Sequence, residues 1–416
     1  MRMTSKPSVL NSFMLIVGSS ATAQLIFFIG TLVLARLYSP ESFGGYGVLA
    51  SMAALVSVVS GLRFDYLAFL PEAEKYRRES FYFAAVSFSV VFCGLAVFFI
   101  AWSGSLDPEV GWSLTFFFIL SASLVFLGGQ RALACAEYKQ YSRIRVVQSA
   151  SQVVFGFVFY WIFPELGMIV AFVVSQFTLG IWLLFDCFQG VYDSKLSALR
   201  SIAVVRGFGG RALLNTVSTG LQYSAPLAPI LLGGYFFKSS EVGAYFVVSQ
   251  IFAAPLGILR RSFLSFLNAE ASSPEKAEAI LVGIKKEFLM RVLGGGCLVM
   301  ASLLSVFWFF GSSVVTILIG VQWVGYSYLL MPLAAYFMID AVLQPFSTLA
   351  PLWRRGQAAF LFELFRFFLV YVLGLALIEV GVVSFICYIY FFVASMIFVY
   401  LLQVLYVVRV MRGWDA

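Results

Sequence analysis

The sequence predicts an all-α, polytopic membrane protein with twelve transmembrane helices in two parallel six-helix lobes. Three observations carry that prediction. Long apolar runs divide the 416 residues, 62% of which are hydrophobic and only 11% charged. The basic residues crowd into alternate gaps between those runs, and the first half of the chain is echoed in the second. A run of about 20 apolar residues crosses the bilayer core as a helix, because such a helix satisfies its own backbone hydrogen bonds where no water can.

In chain order the spans fall near 13–37, 45–70, 81–101, 112–135, 144–163, 167–187, 212–236, 242–267, 288–310, 326–350, 358–379 and 383–408. The first follows Arg2 and Lys6 as a signal peptide would, but its apolar stretch is too long and no small-residue cleavage site follows, so it is expected to remain as helix one. One side of the membrane receives Lys75, Arg77 and Arg78 after span two, Lys139, Arg143 and Arg145 before span five, and Lys195, Arg200, Arg206 and Arg211 before span seven. The same side receives Arg260, Arg261, Lys285 and Lys286 around the loop after span eight, Arg354 and Arg355 after span ten, and Arg409 and Arg412 at the end. The opposite side holds only Arg36 and Lys238, with Arg63 and Arg366 inside spans. By the positive-inside rule both termini are expected to be cytoplasmic.

The net charge of +7 is accounted for by this topology signal and by attraction to anionic lipid, so no nucleic-acid partner is expected. The chain has no histidine, which removes the commonest metal ligand and general base and argues against an enzyme. Cys93, Cys135, Cys187, Cys297 and Cys387 fall one to a helix with no CxxC spacing and read as small buried hydrophobes. The longest loop lies near Asn268 to Glu287, so function must reside in the helix bundle.

LYSPESFGGYGVLAS (37–51) resembles FFKSSEVGAYFVVSQ (236–250) at a shift of 199, which brings Gly44 onto Gly243, Tyr46 onto Tyr245 and Val48 onto Val247. LACAEYKQ (133–140) matches LAPLWRRG (349–356) at a shift of 216. Six helices thus map onto six, giving an N-terminal lobe over 1–200 and a C-terminal lobe over 201–416. An even number of spans per copy keeps both copies facing the same way, so the repeats are parallel. Pro226, Pro229, Pro255, Pro332, Pro345 and Pro351 fall in or beside spans seven, eight and ten, and the second lobe is expected to carry the bends.

A charge at bilayer depth costs at least ~2.5–3.5 kcal/mol on insertion scales, so each one needs a partner, a wet cavity or a route to the interface. Arg63 lies in LRFDYLAFLPE within span two, and Asp65 follows two positions later. In a continuous helix those two residues point to different faces, so Asp65 is poorly placed to neutralise Arg63. The repeat carries Arg63 to Ser262, and a slip of one residue reaches Arg261, beside Arg260. Guanidinium groups at matching depth in the two halves would suit a dianion, because the planar fork binds phosphate oxygens bidentately and stays charged. Arg260 and Arg261 read equally well as ordinary positive-inside residues.

Asp340 and Arg366 come at similar depth on spans ten and eleven and are expected to pair, as architecture or as part of a site, with Glu363 also one turn from Arg366. Asn215, Ser218, Thr219 and Gln222 form a polar stripe on span seven that either walls a hydrated cavity or bonds to other helices. Asp340, Asp65 and Glu363 are the candidates for coupling to H+ or Na+, and no cofactor is expected. No aromatic residue stands out from the lipid-facing and interfacial background as a sugar platform.

The segment LARLYSPESFGGYGVLASMAALVSVVSGLRFDYLAFLPE (34–72) resembles the opening of the O-antigen and capsular polysaccharide flippases of the Wzx type. Their first two helices share an A-R-x-L/Y-x-P-E-x-F-G-x-Y run followed by R-Y/F-[DE]-x-A-x-x-L-P. LIGVQWVGYSYLLMPLAAYFMIDAVLQPFSTLAPLWRRGQ (318–357) is similar to the family segment entering helix ten, with Tyr326 departing from its small-residue spacing. The resemblance covers these two stretches in detail and the whole chain in layout. It implies membership of the exporter superfamily that also contains multidrug antiporters and lipid II flippases, and a bundle whose two lobes flank a central V-shaped cavity.

The implied activity is alternating-access movement of an undecaprenyl-diphosphate-linked oligosaccharide to the periplasmic leaflet, in concert with a polymerase and other polysaccharide-assembly proteins. Arg36, Arg63, Asp65 and Pro71 match the family runs directly, whereas Arg260 and Arg261 enter by the repeat. Two other classes stay open. A drug or cation antiporter of the same superfamily would need a cavity dominated by acidic and aromatic residues. A polysaccharide polymerase or ligase would need a long outside catalytic loop, and the outside loops here are short.

Overall fold

The computed structural model describes residues 9–67, 77–102, 112–135, 137–192, 198–270, 302, 305–347, 356–381 and 384–412. Among them the regular structure is helical throughout. In the first half the order is α1 (Val9–Leu34), α2 (Pro40–Ser60), the short α3 (Phe64–Leu67), α4 (Arg77–Trp102), α5 (Trp112–Ala134), α6 (Tyr138–Tyr160) and α7 (Gly167–Tyr192). Then come α8 (Ala198–Leu231), the single turn α9 (Gly233–Phe236) and α10 (Ser239–Glu270). The remainder comprises α11 (Ser305–Leu318), a 3-10 segment Val321–Leu329, α12 (Leu330–Ser347), α13 (Gly356–Phe367), a π segment Phe368–Leu373, α14 (Gly374–Glu379) and α15 (Phe385–Arg412).

Local sequence explains where several helices begin. The Ser39 hydroxyl accepts the Ser42 N–H at 3.3 Å, Pro40 supplies a first residue that needs no hydrogen-bond acceptor, and Glu41 places negative charge in the first turn of α2. At α10 the Glu241 carboxylate reaches back to accept the Lys238 N–H at 3.3 Å, which satisfies an otherwise orphaned donor. Pro226 and Pro229 lie inside α8 and Pro255 inside α10 without ending either helix.

Five described helical stretches are long and apolar enough to cross a bilayer: Pro40–Ser60, Ser113–Leu133, Val321–Gln344, Phe360–Glu379 and Phe385–Tyr406. Ile29, Val90, Trp308, Phe309 and Leu405 are large apolar side chains left exposed, as on a surface wetted by lipid. The chain is a multi-pass membrane protein. The ninth expected span lies mostly outside the described residues, as does Pro351. Cys135 and Cys387 are exposed, which corrects the expectation of buried cysteines: Cys135 falls just past the end of α5, and Cys387 lies on an outer face of α15.

The residues separate into two compact units, Met1–Tyr38 with Gly45–Tyr223, and Ser39–Gly44 with Ser224–Ala416. The division falls inside α8, because the stretch after residue 198 runs as one helix into the seventh span instead of forming a loop. In the first unit α1 packs on α6 and α5 on α7 through reciprocal small-to-large contacts: Gly30 faces Val153 and Gly156 faces Leu34, while Gly128 faces Leu183 and Gly180 faces Leu124. Small residues let helix backbones approach, so dispersion and hydrogen bonds can hold the pairs where lipid competes for apolar surface. Tyr38 donates its hydroxyl to the Gly156 carbonyl at 2.8 Å, and burial pushes its phenol above the ordinary tyrosine range, which keeps it a neutral donor. In the second unit α12 packs between α10 and α15, around Tyr336, Phe392, Tyr388 and Phe385.

Candidate functional site

The helix that carries Arg63 does not run through it. α2 ends at Ser60, and Gly61–Arg63 form a turn before α3 starts at Phe64. Leu62 and Arg63 have φ of 45° and 53°, the left-handed region that side chains with a Cβ avoid at a cost of about 1–3 kcal/mol each. The 21 residues of α2 already cross a bilayer at 1.5 Å per residue. Arg63 and Asp65 therefore lie beyond the end of the span, which corrects the continuous helix expected over 45–70.

The break also reverses the expected relation between the two charges. A turn with two left-handed residues removes the helical offset between positions two apart, and Arg63 Nη1 comes to 3.6 Å from Asp65 Oδ2. Asp65 is 1% exposed, against the wall formed by Gly61 and Ala84. Arg63 lies over the Tyr66 ring, 5.4 Å from its centroid, a cation–π contact. Neither Arg63 Nε nor Asp65 Oδ2 has a hydrogen-bond partner although both are buried. Burial raises the Asp65 carboxyl above the ordinary carboxylate range, and the Arg63 charge pulls it back in part.

The second unit holds a denser set of charges. Arg260 Nη1 donates to Asp340 Oδ2 at 2.8 Å, and the Tyr400 hydroxyl donates to the other oxygen of the same carboxylate. Arg366 donates from Nη1 to Glu363 at 2.9 Å and from Nη2 to the Gln403 side-chain oxygen at 3.1 Å. The Arg366 guanidinium lies 5.0 Å from the centroid of the Tyr400 ring. Asp340 and Arg366 are thus joined through Tyr400 rather than paired with each other. Arg260 on α10 takes the carboxylate that the sequence assigns to Arg366, and Arg366 takes Glu363 one turn away. Arg366 is 2% exposed and enclosed by groups of its own unit.

The remaining expected residues are placed as follows. Arg36 is exposed just after α1. The side chain of Arg261 lies outside the described residues. Asn215 and Gln222 are half-buried on α8; Thr219 donates to Asn215 Oδ1 at 3.5 Å, and the buried Asn215 Nδ2 has no hydrogen-bond partner. Among the described residues no group of His, Cys, Asp and Glu could hold a metal ion.

Sequence reasoning missed one polar cluster. In the first unit Gln148 of α6 donates to Gln176 of α7 at 3.0 Å, and Gln152, one turn on, donates to the Tyr46 hydroxyl. The signal was the pair of glutamines at i and i+4 in VVQSASQVV, within a helix of otherwise membrane-spanning length.

No protein-family model matches the chain, and no curated protein matches it. Solved structures do. An inward-facing multidrug-resistance MATE family transporter of the MOP superfamily is similar with a TM-score of 0.61 at 12% identity, over 94% of this chain and 95% of that one. An outward-facing MATE transporter of the same superfamily is similar with a TM-score of 0.56 at 13% identity, over 97% and 96%. A third is a MOP superfamily transporter from Pyrococcus furiosus, described as having a binding pocket of reverse polarity that suggests a different function, with a TM-score of 0.55 at 11% identity over 97% and 96%. The chain has the fold of the MATE transporters of the MOP superfamily.

Proposed function

We propose that the chain is a flippase that moves undecaprenyl-diphosphate-linked oligosaccharide from the cytoplasmic to the periplasmic leaflet of a bacterial inner membrane by alternating access. The observation that carries this reading is Arg63, a guanidinium placed just past the end of a membrane-spanning helix, with Nε unpartnered and its one counter-ion among the described residues at 3.6 Å. That is the depth at which a lipid diphosphate sits, and a guanidinium fork is the group that grips its oxygens. The basic asymmetry of the sequence assigns this end to the cytoplasmic side, where the lipid-linked unit is made. The Wzx-type runs around Arg36, Arg63 and Asp65 support the same substrate. Arg260 and Arg261 would extend the cationic surface, and polymerase and other assembly proteins would receive the product.

A drug antiporter of the same fold is the second reading, favoured by the description of two similar structures as multidrug-resistance MATE family transporters. Against it, the buried carboxylates among the described residues, Asp340, Glu363 and Asp65, each face an arginine and are poorly suited to hold a cationic drug. In cells that depend on this chain for surface polysaccharide, Arg63→Ala is expected to abolish export while the protein stays in the membrane. Undiminished export contradicts the flippase reading, and loss of drug resistance with intact glycan export on deleting the chain decides for the antiporter.

A further inference from the structure

Asp65 differs from the other buried carboxylates. Asp340 has a guanidinium at 2.8 Å and a tyrosine hydroxyl as well, and Glu363 has a guanidinium at 2.9 Å. Among the described residues Asp65 has a single ion-pair partner, Arg63, at 3.6 Å, and its Oδ2 makes no hydrogen bond. The contact is too long for a charge-assisted hydrogen bond, and it is held by a turn whose two left-handed residues are strained. A pair intended only as architecture would close the gap. A pair that must open for a ligand is better left loose.

We infer that Asp65 is a stand-in for the substrate's anion: with the site empty it neutralises Arg63, and a phosphate that binds Arg63 displaces it, so that capture of the headgroup is coupled to uptake of one proton by the Asp65 carboxylate from the buffer acid, which is left as its conjugate base. The inference rests on the reading of Arg63 as headgroup ligand. Its physical basis is that Asp65, once displaced, has no other ion-pair partner among the described residues. α4 meets α3 with Ala84, and its buried Ser80 hydroxyl has no hydrogen-bond partner. α5 contributes Arg131, and α8, which packs on Phe64 through Val204 and Ala212, carries the exposed Arg206 and Arg211.

None of these is an ion-pair partner of Asp65 among the described residues; its other polar neighbours are the backbone N–H groups of Asp65 and Tyr66. A buried carboxylate stripped of its counter-ion takes up a proton rather than remain charged. Because burial raises the carboxyl and Arg63 is the charge that lowers it, removal of Arg63 shifts it further up, and headgroup binding strengthens as pH falls.

The test uses the full chain in detergent micelles, titrated with undecaprenyl diphosphate by calorimetry in buffers of different ionisation enthalpy, which counts protons taken up per ligand bound. Wild type is expected to take up a proton beyond those the diphosphate itself exchanges, and Asp65→Asn to bind severalfold more tightly with that extra uptake gone. Asp65→Glu, which keeps a titratable competitor, is expected to restore the uptake. An unchanged proton count in Asp65→Asn, or no extra uptake by wild type, overturns the inference while leaving Arg63 as ligand. Wild-type binding by Arg63→Ala overturns the site reading and the inference with it. Should Asp65→Asn fail to fold, the wild-type proton count alone decides.

Discussion

Gly44 and Gly243, which the sequence aligns at a shift of 199, lie against each other's helix starts within the second unit. A Cβ on Gly44 would collide with the Ser239 carbonyl, and one on Gly243 with the Pro40 carbonyl and the Gly44 nitrogen. Ser239 and Pro40 are aligned by the same shift of 199, so each helix start meets the glycine of the other. Ser239 also donates its hydroxyl to the Glu41 carbonyl at 3.0 Å, and Phe43 packs edge-on against Trp323.

Backbone is what a side chain would strike there, and backbone cannot rotate aside. Gly243→Leu and Gly44→Leu are each expected to lower stability by about 1–3 kcal/mol or more, read as a fall in the detergent melting temperature. Gly45→Ala is the control: nothing lies within 4 Å of its Cβ, and the change is expected to be neutral or slightly stabilising. Equal effects at Gly44 and Gly45 would refute the close crossing.

Arg366 and Glu363 stabilise the second unit only as a pair. Arg366→Ala leaves a buried carboxylate without its counter-ion and is expected to cost about 3–5 kcal/mol, whereas the double change Arg366→Met with Glu363→Gln recovers much of that loss. Thermal melting of the two variants beside wild type checks the order. A double variant as unstable as the single one would show that the pair is not what the site needs.

Tyr400 has two separable roles, a hydroxyl on Asp340 and a ring beside Arg366. Tyr400→Phe keeps the ring and removes the donor, so it is expected to cost about 1.5–3 kcal/mol, the range for a hydrogen bond to a charged group. Adding Asp340→Asn should then cost less than Asp340→Asn costs in wild type, because both changes act on one contact. Fully additive losses in that cycle would separate Tyr400 from Asp340.

What the sequence discloses and what it conceals divide along physical lines. Hydropathy is summed over 20 or more residues, so the all-helical, membrane-spanning fold could be read directly. Asp65 could not be read as the partner of Arg63, because that depended on two left-handed residues after Gly61, and neither Leu62 nor Arg63 signals such a turn. The exchange of partners between Arg260 and Arg366 was hidden for another reason: residues 80 apart in sequence are matched by helix packing, which periodicity does not encode. The π segment Phe368–Leu373, which precedes α14, likewise left no trace in an uninterrupted apolar run.

A flippase of the proposed kind needs Arg63 to grip the lipid diphosphate. The direct measurement is transbilayer movement of a fluorescent undecaprenyl-diphosphate saccharide in vesicles containing the purified chain. Loss of a charge-assisted contact worth about 1.5–3 kcal/mol predicts a fall of roughly tenfold to a hundredfold for Arg63→Ala, with Arg63→Lys intermediate because it keeps the charge without the fork. Movement by Arg63→Ala at the wild-type rate would contradict it.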